Sequence, residues 1–471
     1  FMNYKQYLTT IFLLLLVIVT VQSQVSGTVY SEDNIPINKV QIYNSNGGLL
    51  AETNSKGDFE FSLKKDQISV FIYSENYKLK ELTIFLNKST NLKIILNSFT
   101  EALSEIQIKA RKSKVFELKR LQDVVGTSIY AGKKTEVILV DQTMANLASN
   151  NARQIYSKVA GLNIFQNDDA GLQLNIGGRG LDPNRTSNFN TRQNGYDISA
   201  DVLGYPESYY TPASESLEEI QIVRGAASLQ YGTQFGGLVN FITKSPNANK
   251  GIEIISRNTL GSYGLYTNFT SFSGTNSKVS YYTYFNYKKG DGFRPNSEFE
   301  SKNAFVHVGY DVNDNNKLTL ELTYLDYLAQ QAGGLSDQMF AANPFQSNRK
   351  RNWFKVDWLL YSLKWSHKYS DNTNLSFNFF GLNASRKSVG YRVRRVDLPD
   401  TGEARELLIG DFNNIGLETR LLSSYKIKNI KATFLIGSKI YKASNTDYQG
   451  PGTDDADANF SKAIQQFPNY R

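Results

Sequence analysis

The sequence predicts a mainly β chain: an N-terminal β-sandwich, an α+β domain, and the first part of a transmembrane antiparallel β-barrel. Three observations predict it. Short period-two segments separated by turn clusters fill residues 24–97, and a glycine-rich segment with mixed periodicity follows at 115–245. From about residue 246 onward, long alternating stretches rich in tyrosine and phenylalanine are joined by connections that alternate between short and long. The aromatic content, 29 Tyr, 28 Phe and 3 Trp in 471 residues, suits strands and membrane interfaces. The absence of cysteine excludes thiolate catalysis, disulfides and cysteine-ligated metals, and two histidines, His307 and His367, are too few for a histidine-rich metal centre. The net charge of +8 admits nucleic acid, anionic lipid or an anionic ligand, so position along the chain has to choose among them.

Residues 1–23 read as a signal peptide. Lys5 precedes an apolar stretch from Ile11 to Val21, shorter than the ~20 residues a membrane-spanning helix needs, and cleavage is expected after Ser23. At 24–97 the alternating runs VSGTVY, KVQIYN, FEFSL, ISVFIY and LKIIL are separated by SEDNIP, NSNGG and NSKGD, which predicts a small β-sandwich. Gly57 is expected to supply a turn, with Phe59 and Phe61 pointing inward. These features resemble the carboxypeptidase-regulatory-like domain, without any implied peptidase activity, since no histidine precedes position 307.

Residues 98–114 have linker character around one alternating peptide, Leu103-Ser104-Glu105-Ile106-Gln107-Ile108. An extended, tethered segment of this kind can add a strand to the sheet edge of another protein. Within 115–245, TEVILVDQ reads as a strand, NNARQIYSKV as a helix stopped by Gly161, and GLNIF and GLQLNIGGRG as strands and a glycine turn. Gly177, Gly178 and Gly180 do not form a nucleotide loop, because the spacing is wrong and no lysine–serine or lysine–threonine pair follows. Acidic pairs such as Asp168/Asp169 and Glu218/Glu219 are adjacent in sequence and point apart, so no acid–base enzyme is expected.

Two stretches, LQLNIGGRGLDPNRTSNFNTRQNGYDI (172–198) and LGYPESYYTPASESLEEIQIVRGAASLQYGTQFGGLVNFITK (203–244), resemble the plug domain of TonB-dependent outer-membrane receptors, in particular the ferric dicitrate type. The resemblance makes 115–245 a plug, 246–471 a partial barrel in the cell outer membrane, and Leu103, Glu105, Ile106 and Ile108 part of a TonB box. It implies a transporter rather than an enzyme. TonB in the periplasm, a ferric chelate and outer-membrane lipid are the implied partners, with no nucleic acid and no resident cofactor, iron being carried as chelated cargo. Cobalamin, another siderophore, a glycan, or an adhesive role remain open alternatives.

The barrel is also read from the residues. Val279, Tyr281, Phe285 and Tyr287 alternate with Ser280, Tyr282, Asn286 and Lys288, and Ile430, Ala432, Phe434 and Ile436 with Lys431, Thr433, Gly437 and Lys439. Nine strands are expected, at 251–260, 263–273, 278–288, 301–312, 317–329, 354–369, 374–390, 411–427 and 430–444. Receptors of this kind close with about 22 strands, so the chain is expected to stop inside an extracellular loop of a longer parent.

Candidate ligand residues are the plug's Arg185, Arg192 and Gln193, in the loop-rich stretch after Gly180, and Arg392 and Arg394, on one face of Tyr-Arg-Val-Arg-Arg with Arg395 opposite. Arg349, Lys350 and Arg351 could meet either ligand or lipopolysaccharide phosphates. Arg179 and Arg224, each preceding a glycine in a plug motif, are expected to approach each other at the plug–barrel contact, where the resemblance suggests inward barrel glutamates as partners.

Overall fold

The computed structural model describes residues 23–470 apart from 45–46, 64–66, 76, 86–90, 98–118, 132–133, 169–170, 203–204, 225–229, 233–234, 394, 429 and 463–468. The chain forms two compact units that divide between Val115 and Phe116. The signal segment up to residue 22, the 103–108 peptide and Arg394 lie outside the described residues.

The first unit contains β1 (Ser23–Ser31), β2 (Gln41–Asn44), β3 (Leu49–Glu52), β4 (Asp58–Leu63), β5 (Gln67–Tyr73), β6 (Lys80–Phe85) and β7 (Asn91–Leu96). They make a three-stranded sheet, β4-β1-β7, and a four-stranded sheet, β3-β2-β5-β6. Period-two alternation sends Val25, Val29, Phe59, Phe61 and Ile94 from the first sheet and Ile42, Val70, Ile72 and Ile84 from the second into one shared core. Gly57 closes the turn before β4 with φ of +80°, and a Cβ there would come within 2.7 Å of the Val29 carbonyl oxygen.

The second unit begins with the plug region: β8 (Val124–Val125), β9 (Ser128–Ile129), β10 (Lys134–Leu139), α1 (Ala152–Ile155), β11 (Leu162–Phe165), β12 (Asn175–Gly178), β13 (Phe189–Gln193), β14 (Tyr196–Asp197), β15 (Ala200–Val202), β16 (Tyr205–Glu207), β17 (Leu217–Arg224) and β18 (Gly237–Thr243). Its central sheet runs β10-β17-β18-β13-β14, antiparallel except for the parallel β13–β18 pair. The helix expected over 150–159 is only four residues long. Asn151 caps its start by accepting from the Gln154 N–H at 3.1 Å, but the Ser157 hydroxyl then donates to the Gln154 carbonyl at 2.8 Å, and Gly161 turns the chain with φ of +71°. Burial in β18 also differs from simple alternation. Both faces of most of the strand are covered, one by the rest of the plug and the other by the sheet that follows.

That sheet is an antiparallel meander in sequence order: β19 (Glu253–Leu260), β20 (Tyr266–Asn276), β21 (Val279–Gly290), β22 (Phe299–Asn313), β23 (Asn316–Gln330), β24 (Trp353–Ser370), β25 (Thr373–Gly390), β26 (Glu406–Ile427), β27 (Ile430–Pro451) and the two-residue β28 (Asn469–Tyr470). A short helix, α2 (Asp337–Ala342), sits in the connection between β23 and β24. All nine expected strands are present. β26 and β27 run further than expected, because Glu406–Gly410 and Asp447–Pro451 continue the ladder as each other's partners without apolar alternation. The connections at 277–278, 314–315, 371–372 and 428–429 are short, while 291–298, 331–352 and 391–405 are long.

The two faces of the meander differ in chemistry. Leu318, Leu320, Leu322 and Tyr324 of β23, Leu359, Leu363 and Trp365 of β24, and Phe434, Ile436 and Ile440 of β27 are exposed on the outward face. Phe354, Val356, Trp358 and Leu360 of β24, with Phe380, Leu382 and Phe412, point inward and form one core with plug residues Tyr196, Tyr209 and Phe241. Tyr209 lies with its ring centroid 5.8 Å from Trp358 and 5.9 Å from Phe354. An outward apolar band with an inner face filled by a folded domain is the arrangement of a plugged membrane barrel.

Gly237 tests how tightly the plug sheet is built. It holds φ of +117°, and a Cβ there would lie 2.4 Å from the Val223 carbonyl oxygen. Gly237→Ala is expected to destabilise the plug by about 1–3 kcal/mol from backbone strain alone, seen as protease cleavage within 116–245 at lower urea concentration than in the parent protein.

Candidate functional site

Two charged clusters join the plug to the sheet. The deeper one centres on Arg192. Strand β13 carries its side chain to 0% exposure, where Nη2 lies 2.9 Å from Asp197 in an ion pair whose angle is too bent for a hydrogen bond, and Nη1 donates to Glu418 of β26 at 3.2 Å. Arg420 reaches the same Glu418 through Nε at 2.5 Å, and Lys439 of β27 pairs with Asp197. The Tyr231 ring lies between two guanidiniums, with Arg192 at 4.7 Å from its centroid and Arg420 at 4.3 Å. Burial raises the Asp197 pKa, but Arg192 and Lys439 outweigh it and hold the carboxyl below its ordinary range.

Arg192 and Gln193, expected to face ligand from a loop, are instead internal cross-ties on a strand. Gln193 is 0% exposed, donates to the Tyr196 hydroxyl at 2.8 Å and to Thr323 of β23 at 3.0 Å, and accepts from Tyr210 at 2.8 Å. Every polar atom of that amide group is engaged, so it has no capacity left for a ligand. The neighbouring Asn194 donates to both oxygens of Glu321, at 2.9 and 3.0 Å, and Glu321 also contacts His307 Nδ1 at 2.8 Å. Inward glutamates on the sheet therefore do hold plug residues, but the partners are Arg192 and Asn194 rather than Arg179 and Arg224. Arg224 uses the plug's own Glu136, at 2.8 Å, and the Ala160 carbonyl. Arg179 is exposed in a left-handed turn with φ of +59°. Among the described residues no hydrogen bond or ion pair joins the two.

The second cluster surrounds Tyr209 on the side of the long connections. Arg185, with φ of +52°, places its guanidinium 5.6 Å from the Tyr209 ring centroid and donates to both oxygens of Glu207 at 3.0 and 3.2 Å. Arg386, pointing inward from β25, approaches the same ring at 5.5 Å and pairs with Asp447 at 3.4 Å. Arg392, in the 391–405 connection, donates to Ser388 at 2.8 Å and lies 3.4 Å from Glu406. Burial lowers the Arg392 pKa, Glu406 opposes that, and the neighbouring Arg185 and Arg386 lower it further. Arg386 Nε is buried with no hydrogen-bond partner among the described residues. The sequence reading missed Arg386, although period-two counting on 374–390 puts it on the inner face with Ala384 and Ser388.

The remaining arginines of the long connections bind backbone. Arg349, 4% exposed, donates to the carbonyls of Asn348 and Leu398 at 3.1 and 2.9 Å, and Arg351 donates to Asp400, Glu403 and Asp454. Their burial removes them from either lipid or ligand. Arg395 is solvent-exposed beside Asp397.

With this geometry in hand, the chain can be compared with known proteins. Residues 133–238 match the TonB-dependent Receptor Plug Domain. A ferric enterobactin receptor of Pseudomonas aeruginosa is 28% identical over 178 residues, covering 34% of this chain and 22% of that protein. The ferric citrate transporter FecA in its unliganded form superposes with a TM-score of 0.58 at 19% identity, over 72% of this chain and 51% of that one. The siderophore receptor PiuA of Acinetobacter baumannii gives 0.56 at 13% identity, over 72% and 50%, and the ferric preacinetobactin receptor BauA of the same species gives 0.55 at 14%, over 74% and 54%. These structural likenesses show the fold, and the chain spans about half the length of the structures it matches. The matched proteins are receptors and transporters, not enzymes, and the chain belongs in the cell outer membrane.

Removing one partner of a buried ion pair leaves the other charge uncompensated, at a cost of about 3–5 kcal/mol. Glu418→Ala strands Arg192 and Arg420 together, so the plug is expected to leave the sheet at lower denaturant concentration, measured by the accessibility of a cysteine introduced at Ser199.

Proposed function

We propose that the intact protein is a TonB-dependent outer-membrane receptor that imports a ferric chelate, with ferric citrate as the cargo that best suits the Tyr209 cluster. The carrying observation is that Arg185, Arg386 and Arg392 converge around one buried ring, with the charge on Arg392 disfavoured by burial and by the other two and with Arg386 Nε unpartnered. A polycarboxylate would supply the missing acceptors, and guanidinium forks match carboxylates in a bidentate geometry. Glu207, Glu406 and Asp447 hold these forks apart until ligand displaces them. The fold likeness to a ferric citrate transporter supports the choice of cargo. Arg394, outside the described residues, remains a candidate on the same connection.

Import needs energy, which this reading draws from TonB through Leu103, Glu105, Ile106 and Ile108. Ligand bound at the outer end of the plug would bias the linker toward a conformation that TonB captures by strand addition. The Arg192 cross-tie then resists or releases as the plug is pulled.

In the full-length receptor, the triple change Arg185→Ala, Arg386→Ala and Arg392→Ala is expected to weaken ferric citrate binding at least tenfold by isothermal titration, with barrel assembly intact. Unchanged affinity would move the cargo toward a neutral ligand. Ile106→Pro is expected to leave binding unaltered and abolish uptake of radiolabelled iron, because proline cannot complete a strand ladder. Normal uptake by that variant would place the coupling segment elsewhere.

A further inference from the structure

The outward face of the meander changes abruptly from apolar to polar, and the register shows where. Across β23 to β27, one row of directly opposed residues reads Leu322, Tyr361, Gly381, Ile415 and Lys442, and the next row toward the long connections reads Tyr324, Leu359, Asn383, Asn413 and Ser444. One step further the row is Asp326, Asp357, Ser385, Asp411 and Thr446, and above it Lys355 stands directly opposite Lys387. Leu359 and Ile415 are 40% and 39% exposed, so the apolar band reaches to the foot of these polar rows.

The polar rows are not flat. Asp357, Asn383, Ser385, Asp411, Asn413 and Thr446 line an open groove of about 580 Å³ bounded below by Tyr324 and Leu359. Strand spacing sets these carboxylates, amides and hydroxyls about 4.8 Å apart across the sheet, a grid that suits the hydroxyls of a saccharide. Lys355 and Lys387 crown the groove. Like charges directly opposed across two strands are destabilising. Lys355 is shared by Asp326 at 3.3 Å and Asp357 at 3.7 Å, whereas Lys387 is half-buried with no hydrogen bond or ion pair among the described residues. An anion placed between the two lysines would relieve the repulsion.

We propose that this groove docks the phosphorylated sugar headgroup of an outer-leaflet glycolipid. Its acyl chains would lie along the apolar band below, its sugar in the groove, and a phosphate between Lys355 and Lys387. Continuity with the apolar band selects a lipid over a soluble sugar, and the combination of cations above with acceptors below selects a phosphorylated glycolipid over a simple phospholipid. The inference rests on the membrane-barrel reading and is independent of the cargo.

The test uses the full-length receptor in neutral detergent, titrated with purified lipid A and with phosphatidylglycerol and followed by native mass spectrometry. Lipid A is expected to bind at least tenfold more tightly than phosphatidylglycerol, and Lys355→Ala with Lys387→Ala to remove that preference while ferric citrate titration of the same preparation is unchanged. A second variant, Asn413→Leu, touches no ion pair and is expected to weaken lipid A alone, which keeps the test decisive if the lysine variant fails to assemble. Equal binding of the two lipids by the parent receptor, or lipid A binding that survives both variants, would overturn the proposal. Loss of ferric citrate binding with lipid A preference intact would count against the cargo and not against the groove.

Discussion

A buried charge that cannot be left alone organises the plug–sheet contact. Arg192 is taken fully out of water by β13, and a guanidinium in that setting needs carboxylates close by. It finds one on its own hairpin, Asp197, and one on the facing sheet, Glu418, which Arg420 also shares. Three cations, two carboxylates and the Tyr231 ring thereby tie β13, β14, β26 and β27 into one network. Because the network is satisfied only when the plug sits in register with those strands, it specifies position more than it adds stability. Asn194, Gln193 and Gln173 repeat the device on other strands, through Glu321, Thr323 and Tyr327.

The second organising constraint is the ladder. In a meander of direct neighbours each hydrogen-bonded register fixes which side chains point in, and a slip of one residue would turn Trp358 toward lipid and Asp357 toward the plug. The inward set is large and aromatic, and it packs against Tyr196 and Tyr209. Plug and sheet thus share one core, so neither face of the contact is complete without the other. At the far ends of the strands the constraint changes: beyond the apolar band, arginines such as Arg349, Arg351 and Arg405 donate to loop carbonyls, doing for long connections what secondary structure does elsewhere.

The site around Tyr209 follows from these two constraints. Arg185 comes from a plug turn, Arg386 from a sheet strand and Arg392 from a connection, and only the docking of plug on sheet brings the three together. Their carboxylate partners are equally scattered, with Glu207 on the plug and Glu406 and Asp447 on β26 and β27. A cluster assembled from separate elements senses their relative position, which is a useful property in a gate that must be displaced.

Local periodicity by itself determined much of this protein. Alternation placed the two sheets of the first unit, all nine long strands of the meander, and the side of each strand that faces out, because those features depend on neighbours two residues apart. Glycine spacing marked the plug turns, and Gly57 and Gly237 carry the positive φ that such turns require. The roles of individual arginines were decided only by tertiary structure. Arg192 looked like a loop residue because Asn188, Asn190 and Asn194 surround it, yet a parallel pairing with β18 drew it into a strand. Arg349 and Arg351 looked free for ligand or lipid until distant carbonyls claimed them. Arg386, unremarkable in sequence, became part of the candidate site through Tyr209, which lies 177 positions earlier in the chain. A charge is visible in sequence, but its partner is set by which surfaces meet, and no local pattern encodes that.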